Sequence, residues 1–520
     1  MHPTVDFLDR AKERLRALVD DARRRLRDLQ YADLRFGVTE ARAADAEHGA
    51  SRAAWEQATA GLGVRVLAGD RTVAPGYVGL ALGPGDLAQL ELVVAAALER
   101  AHRRALANAA LKAETREKFG PLGEALASLR LHPVAAHEDT VPAEYAIDPR
   151  AVPLAELVAL ARDVSARLRA LGPRLAYNRV VAYTELSREV FASTEGALID
   201  QAFALTQGTA AVVASTAGVT QELWDAMGHQ RGWEVLTEGV ADPLLRFPPF
   251  ADFALALARE ALELVEAPPL RTTARPVVVV TDPHYTALLA HEIIGHPTEL
   301  DRALKMETAY AGRSWLLRTL DRHQVGQRVA SPLVTAYSDP ALPGYGHYRY
   351  DHEGTPGRRV VHIDRGIFTG FMNSRQTAAI FGGAPNGHYV AIAPHLVPLV
   401  RMSTTVFAGG AQEPEAIVRE VDRGFYLAGH RIPSIAESRE NFRISARRVY
   451  EIRDGRLGAL YRDGGLAADT RDFLMQVDAV GRDFRLYPIP NCGKGQPMQL
   501  RRLGNGGPTL RSRARVVGSA

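Results

Sequence analysis

The spacing of apolar positions changes several times along the chain, and each change marks a predicted element. From Val5 to Gln30, residues Phe7, Leu8, Ala11, Leu15, Leu18 and Val19 recur on one side of a helix. From Tyr31 to Leu82 the period drops to two. Leu62-Gly-Val-Arg-Val-Leu alternates, Gly69-Asp70 marks a turn, and Tyr77-Val-Gly-Leu-Ala-Leu follows. Pro84-Gly-Asp opens an alanine-rich helix predicted to reach about Lys118, and residues 119–150 read as a proline-interrupted connector. A helix is predicted from about Pro153 to Leu171, then strands from Leu175 to Ser215. Phe250 to Glu266 is again an amphipathic helix, and Ala267-Pro-Pro breaks it.

Helix–strand–helix–strand order predicts an α+β fold, with helices on one face of an antiparallel sheet. The two halves of this region follow a similar order. The proline break sets the expected boundary. An N-terminal α+β domain spans 1–268, itself divisible into 1–120 and 121–268, and a C-terminal domain spans 269–520. The second domain reads mostly as short strands between Gly, Pro and Asp, with hairpins at Val360–Phe371 and Ser445–Leu457. That pattern predicts a β-rich, barrel-like unit.

One stretch carries chemistry. Val277–Val280 reads as a buried strand, Asp282-Pro283 as a helix start, and Tyr285 to Ile294 as the helix. The helix runs into His-Glu-Ile-Ile-Gly-His, residues 291 to 296. Imidazole beside carboxylate is the pairing of zinc hydrolases, in which His holds the metal and Glu takes a proton from water. In the common His-Glu-x-x-His the two imidazoles are four apart and share a helix face. Here they are five apart, which is a turn of about 140° around a regular helix. The helix is therefore expected to end near Ile294. Gly295 is expected in the left-handed cap conformation, and Pro297 is expected to keep His296 out of helical geometry.

Composition narrows the alternatives. The net charge of +3 is small for 520 residues and gives no case for nucleic acid; the Arg23–Arg25 run reads as a solvated face. No apolar stretch approaches the roughly 20 residues of a membrane span. The start MHPTVDFLDRAKERLR has no apolar segment of the signal-peptide kind. A cytoplasmic location is expected. The single cysteine, Cys492, lies in Pro490-Asn-Cys-Gly-Lys-Gly-Gln-Pro497. One thiol makes no intrachain disulfide and is available as a metal ligand.

HEIIGH, then DHEGTP (Asp351–Pro356), RMSTT (Arg401–Thr405) and NCGKGQP, in that order, resemble the TldD/PmbA family of metallopeptidases. The match is to the TldD-type subunit, since the PmbA (TldE) type lacks His-Glu-x-x-x-His. The resemblance is dense from about Pro276 onward. It implies zinc held by His291, His296 and Cys492, with Glu292 as general base. Glu353, His352 and Arg401 fall in the family motifs as substrate-binding candidates, beside His347 and His362 in the same glycine-rich region. The family implies hydrolysis of short or unfolded peptides, in maturation or degradation, by a dimer with a PmbA/TldE-like subunit or with itself. The family's Arg-Met-(Ser/Thr)-Asn-Thr reads Arg401-Met-Ser-Thr-Thr here, and the cysteine segment is one residue shorter. Two other readings are a non-catalytic scaffold subunit and a zinc amidase acting on a non-peptide amide. The intact His/Glu/His/Cys set argues against the scaffold.

Overall fold

The computed structural model describes residues 4–127, 129–307 and 312–518. Its first sheet runs Ala74–Leu82, Ala50–Ala68, Leu29–Glu47, Leu175–Ser193, Leu198–Thr216, and both Val219–His229 and Glu138–Val141 pair with the last of these. Glu138–Val141 is parallel to its neighbour and the other pairings are antiparallel. The main elements come in the order helix, three strands, helix, twice over. The first set runs from Leu8–Arg25 to Leu90–Ala127, and the second from Leu154–Arg169 to Phe250–Leu264. Leu29–Glu47 and Leu175–Ser193 meet at the seam, and each half lays its strands outward from there. The similar order of the halves is thus a repeat in topology.

Alternation along the seam strands shows where the core lies. Leu34, Phe36 and Val38 are buried with Leu8, Leu15, Val94 and Leu98 of the first helix pair. Ala44 and Ala46 share that parity and pack with Leu157, Val164 and Phe250 of the second. All four helices therefore cover one face of an antiparallel sheet, as the α+β reading requires. The opposite face carries Arg35, Gly37, Gly63 and Gly79 and meets the C-terminal half. Pro394 and His395 lie directly on its glycines. A Cβ on Gly63 would stand 2.1 Å from the Pro394 carbonyl oxygen, and one on Gly79 would stand 1.9 Å from that of His395.

One expectation is corrected. The alanine-rich helix does not stop near Lys118 but continues to Ala127. Proline fits helical φ and removes one hydrogen bond, and Glu124-Ala-Leu-Ala is a strong helix-forming run beyond it.

In the C-terminal half five strands close a ring. Val277–Thr281 pairs in parallel with Arg423–Ile435 on one side and antiparallel with Leu510–Val517 on the other. Asn441–Arg453 and Gly465–Asp469 complete the circuit. This barrel packs against the helix that follows its first strand. The buried Tyr285 hydroxyl of that helix donates to the Ile444 carbonyl at 2.6 Å. The expected hairpins form at Arg365-Gly366 and Asp454-Gly455, each with two positive φ values. Two ring strands run 13 residues each, longer than the short strands expected. A second sheet has the order Ile367–Phe368, Val360–Asp364, Ala336–Ser338, Thr404–Phe407, Gln499–Gly507, Arg485–Lys494. Its last strand carries Cys492. Among the described residues, no helix is long and apolar enough to cross a membrane.

The glycine face gives a direct test. Gly79→Ala places a methyl against a backbone oxygen, so the loop at His395 must shift, at a cost of about 1–3 kcal/mol. Gly85, which has nothing within 4 Å of an added Cβ, is the control. Urea unfolding is expected to show the loss for Gly79→Ala and not for Gly85→Ala. Equal midpoints for the two would refute the close contact.

Candidate metal centre

The motif helix starts as its sequence requires. The Asp282 carboxylate accepts from Tyr285 N at 2.7 Å, and Pro283 takes the first turn. Regular α-helix extends over Pro283–Leu289. From Ala290 to Gly295 the backbone bonding changes to the i→i+5 pattern of a π-helix. A wider turn absorbs the extra residue and brings His296 back over His291. The two rings lie 4.7 Å apart between centroids, at 86° to each other.

The expected exit from the helix is therefore corrected. Gly295 has φ −61° and ψ −61°, and His296 has φ −60° and ψ −44°, so both are right-handed helical. Pro297 sits in the first turn of a short 3-10 segment, His296–Thr298, where a missing N–H breaks no ladder. Glycine is needed at 295 for packing instead. A Cβ there would lie 1.9 Å from the Met402 sulfur.

Cys492 arrives from the other sheet. Its strand, Arg485–Lys494, shifts register between Ile489 and Cys492, at Pro490-Asn491. Proline cannot donate to the ladder, and a bulge re-aims the side chain that follows. Cys492 Sγ lies 3.6 Å from His296 Nε2. The donor atoms of His291, His296 and Cys492 all lie within 4.8 Å of one another, and all three residues are buried.

Neighbours orient each imidazole. Asn505 Nδ2 donates to the Thr405 carbonyl at 3.0 Å, which leaves its Oδ1 to accept from His291 Nδ1 at 3.0 Å. His296 Nδ1 lies 3.2 Å from Glu299 Oε2 and 3.1 Å from Arg302 Nη2, which hold the ring between them. An acceptor at Nδ1, as Asn505 is for His291, directs Nε2 toward the shared space, where a metal can replace its proton. Glu299 is itself held by Arg302 at 2.7 Å and Lys494 at 3.3 Å. Lys494 also reaches Asp301 and the Val400 carbonyl, each at 2.7 Å.

Electrostatics favour an anionic sulfur. Burial pushes the Cys492 thiol up, but His291, His296 and Arg401 together draw it well below its ordinary value. Burial pushes His291 down, and the neighbouring sulfur, with smaller help from Glu292 and Asn505, raises it to about 9. Burial pushes the Glu299 carboxyl up, yet Lys494, Arg302 and His296 hold it well below the usual carboxylate range. A divalent cation would take the place of the protons that imidazole and thiol share. The separation of Cys492 Sγ from His296 Nε2, 3.6 Å, fits zinc. With bonds of about 2.3 Å to sulfur and about 2.0–2.1 Å to nitrogen, tetrahedral geometry separates S from N by about 3.6 Å. Two imidazoles and one thiolate also leave a fourth position open.

The remaining candidates have other partners. Glu292 is buried beside His291 and forms no side-chain hydrogen bond among the described residues. Arg401 donates to the Cys492 carbonyl at 2.6 Å and the Gln499 carbonyl at 3.1 Å, so it clamps the cysteine hairpin. Glu353 pairs with Arg65 at 2.7 Å and accepts from Arg375 N at 2.7 Å. His352 Nδ1 accepts from Ala391 N at 2.9 Å and lies 3.0 Å from Arg35, while its Nε2 is 3.4 Å from Glu189. His362 bonds Ser338 at 2.9 Å, and His347 bonds the Pro340 carbonyl at 2.8 Å. Sequence reasoning missed Glu299, Lys494 and Asn505. Glu299 lies three residues past His296, and Lys494 lies two past Cys492 on the same strand face; both were findable. Asn505 carries no local signal.

Residues 274–518 match the family model described as PmbA/TldA metallopeptidase C-terminal domain, and 147–267 match that of the central domain. A protein named metalloprotease from Methanothermobacter thermautotrophicus is 31% identical over 341 residues, covering 65% of this chain and 69% of its own length. A protein named zinc metalloprotease TldD homolog from Saccharolobus solfataricus is 23% identical over 357 residues, covering 68% and 74%. Among solved structures, TldE from Thermococcus kodakarensis aligns with a TM-score of 0.68 at 16% identity, over 97% of this chain and all (100%) of its own. At that identity the likeness concerns the fold alone.

The packing at Gly295 predicts a coupling. Gly295→Ala is expected to lower the thermal midpoint because the methyl meets the Met402 sulfur. Adding Met402→Ala opens that space, so the double variant is expected to lose less than the two single losses summed, by about 0.5–3 kcal/mol. Strict additivity would show that Met402 is not the reason for the glycine.

Proposed function

This chain belongs to the PmbA/TldD family of metallopeptidases, and on that footing we propose that it is a zinc-dependent peptidase of short or unfolded peptides, in maturation or degradation. The observation that carries the reading is the convergence of the donor atoms of His291, His296 and Cys492 within 4.8 Å of one another. Those three residues would hold the metal. Zinc, when bound, supplies Lewis acidity at its open position toward a peptide carbonyl and a water molecule.

The protein's own groups do the rest. Glu292 takes the proton of the attacking water and returns it to the departing amine. Among the described residues it forms no side-chain hydrogen bond, so its carboxylate is not committed elsewhere. A thiolate ligand donates charge to the metal and lowers its acidity, which leaves more of the deprotonation to Glu292. Asn505 and Glu299 hold the two imidazole rings in orientation from their Nδ1 sides. His352 borders a cavity and is assigned to substrate contact. Glu353 and Arg401 are assigned to holding the walls around the substrate, through Arg65 and through the Cys492 hairpin.

The same reading takes 1–268 and 269–520 as the two domains, with catalysis in the second. It takes the working unit as a cytoplasmic dimer, either with a TldE-like subunit or with a second copy.

Two variants separate metal binding from turnover. Glu292→Gln is expected to keep its zinc while cleavage of denatured chains falls about 10²–10⁴-fold. Unchanged cleavage by a zinc-loaded Glu292→Gln preparation would remove Glu292 from the mechanism. Cys492→Ala is expected to lose most of its zinc by elemental analysis. In the parent protein, alkylation of the one thiol is expected to be slow with zinc and fast after chelation. Full zinc content in Cys492→Ala would exclude the sulfur as a ligand.

A further inference from the structure

The helix-free face of the first sheet and the strand pair that carries Cys492 border a cavity of about 200 Å³. Gly37, Ser187 and Gln201 contribute from the sheet, and Tyr348, Ala391 and Arg501 from the C-terminal half.

Most charged groups on this cavity are already satisfied. Arg188 bonds Asp200 and Asp9, each at 2.7 Å. Arg502 lies 3.9 Å from Glu185 and donates to Gln207 at 3.1 Å. Glu189 faces His352 at 3.4 Å. Burial raises the Glu189 carboxyl to about 7, and burial lowers the His352 imidazole well below its ordinary value. At neutral pH that carboxyl is only partly ionised, and its contact is with His352 rather than with Arg501.

Arg501 differs from the rest. It is the cross-strand partner of Cys492. Its guanidinium lies over the Tyr348 ring, 5.3 Å from the centroid. Among the described residues no carboxylate comes within 4.0 Å of it, and its buried Nε has no hydrogen-bond partner. Cys492 and the Tyr348 ring offset the cation only in part, an unmade donor is costly, and a planar guanidinium matches a carboxylate in two-point contact. We propose that Arg501 binds a carboxylate of the peptide substrate and so anchors the peptide in this cavity beside Cys492. The proposal rests on the peptidase reading. The carboxylate is either the peptide's C-terminus or an Asp or Glu side chain.

The test uses three peptides: acetyl-tetra-alanine as free acid, the same peptide as its amide, and acetyl-Ala-Glu-Ala-Ala amide. Binding to the full-length Glu292→Gln protein is measured by calorimetry. At least one acidic peptide is expected to bind about tenfold or more tightly than the neutral amide, and which one does so identifies the source of the carboxylate. Arg501→Gln is expected to abolish that preference, and Arg501→Lys to keep part of it. Equal binding of all three peptides overturns the proposal, even if the Arg501 variants do not fold. A preference that survives Arg501→Gln also overturns it. Cleavage of the same peptides by the parent enzyme is read separately. Cleavage without a charge preference sinks only the Arg501 site, and a preference without any cleavage sinks only the peptidase reading.

Discussion

Between Ala290 and Gly295 the backbone bonds reach five residues rather than four, and the candidate metal centre depends on that register. A regular helix would turn His291 and His296 about 140° apart. The wider turn is uncommon, so its surroundings have to favour it. Asp282 fixes where the helix begins. Tyr285 ties it to the barrel strand at Ile444. At its end the Thr298 hydroxyl lies 2.8 Å from the Ile294 carbonyl and 2.9 Å from that of Gly295, groups that the altered ladder leaves short of partners. Met402 closes over Gly295, where a methyl would not fit.

A buried group of charges ties the two halves of the donor set together. Glu299 and Asp301 follow His296, and Lys494 follows Cys492, yet Lys494 lies between both carboxylates. Arg302 adds a second cation on Glu299. Buried ions are tolerated only when each has partners, and removal of one strands the others. The cluster therefore fixes the position of Lys494, and with it the strand that presents the sulfur. Arg401 acts on the same hairpin from the other side through two carbonyls. The strand that presents the sulfur is thus held in place by contacts within the protein.

The larger architecture follows from where each layer can bury its surface. The barrel supports the motif helix, and the second sheet delivers Cys492. The repeated N-terminal half has its helices on one face, which leaves the other face for the C-terminal half. Glycines on that free face let the Pro394–His395 backbone come into contact, and the polar residues around them line the cavity near Arg501. A site built this way is walled by residues from widely separated parts of the chain.

Much of this was legible in the chain itself. Alternation, helical periodicity and turn residues act over a few positions, so the α+β layout, the Asp282 cap and the two hairpins could be read directly. The His, Glu and Cys residues were visible as chemistry because their types and order are informative without coordinates. Three features were decided only by tertiary contact. The helix does not end at Gly295, because the glycine answers to Met402, 107 residues later (402 − 295 = 107). Asn505 orients His291 across 214 residues. Arg401 holds the Cys492 backbone across 91 residues, a contact with no local signal. Local rules describe what a residue prefers for its own backbone, and steric fit and hydrogen-bond pairing across the fold determine which of those preferences prevails.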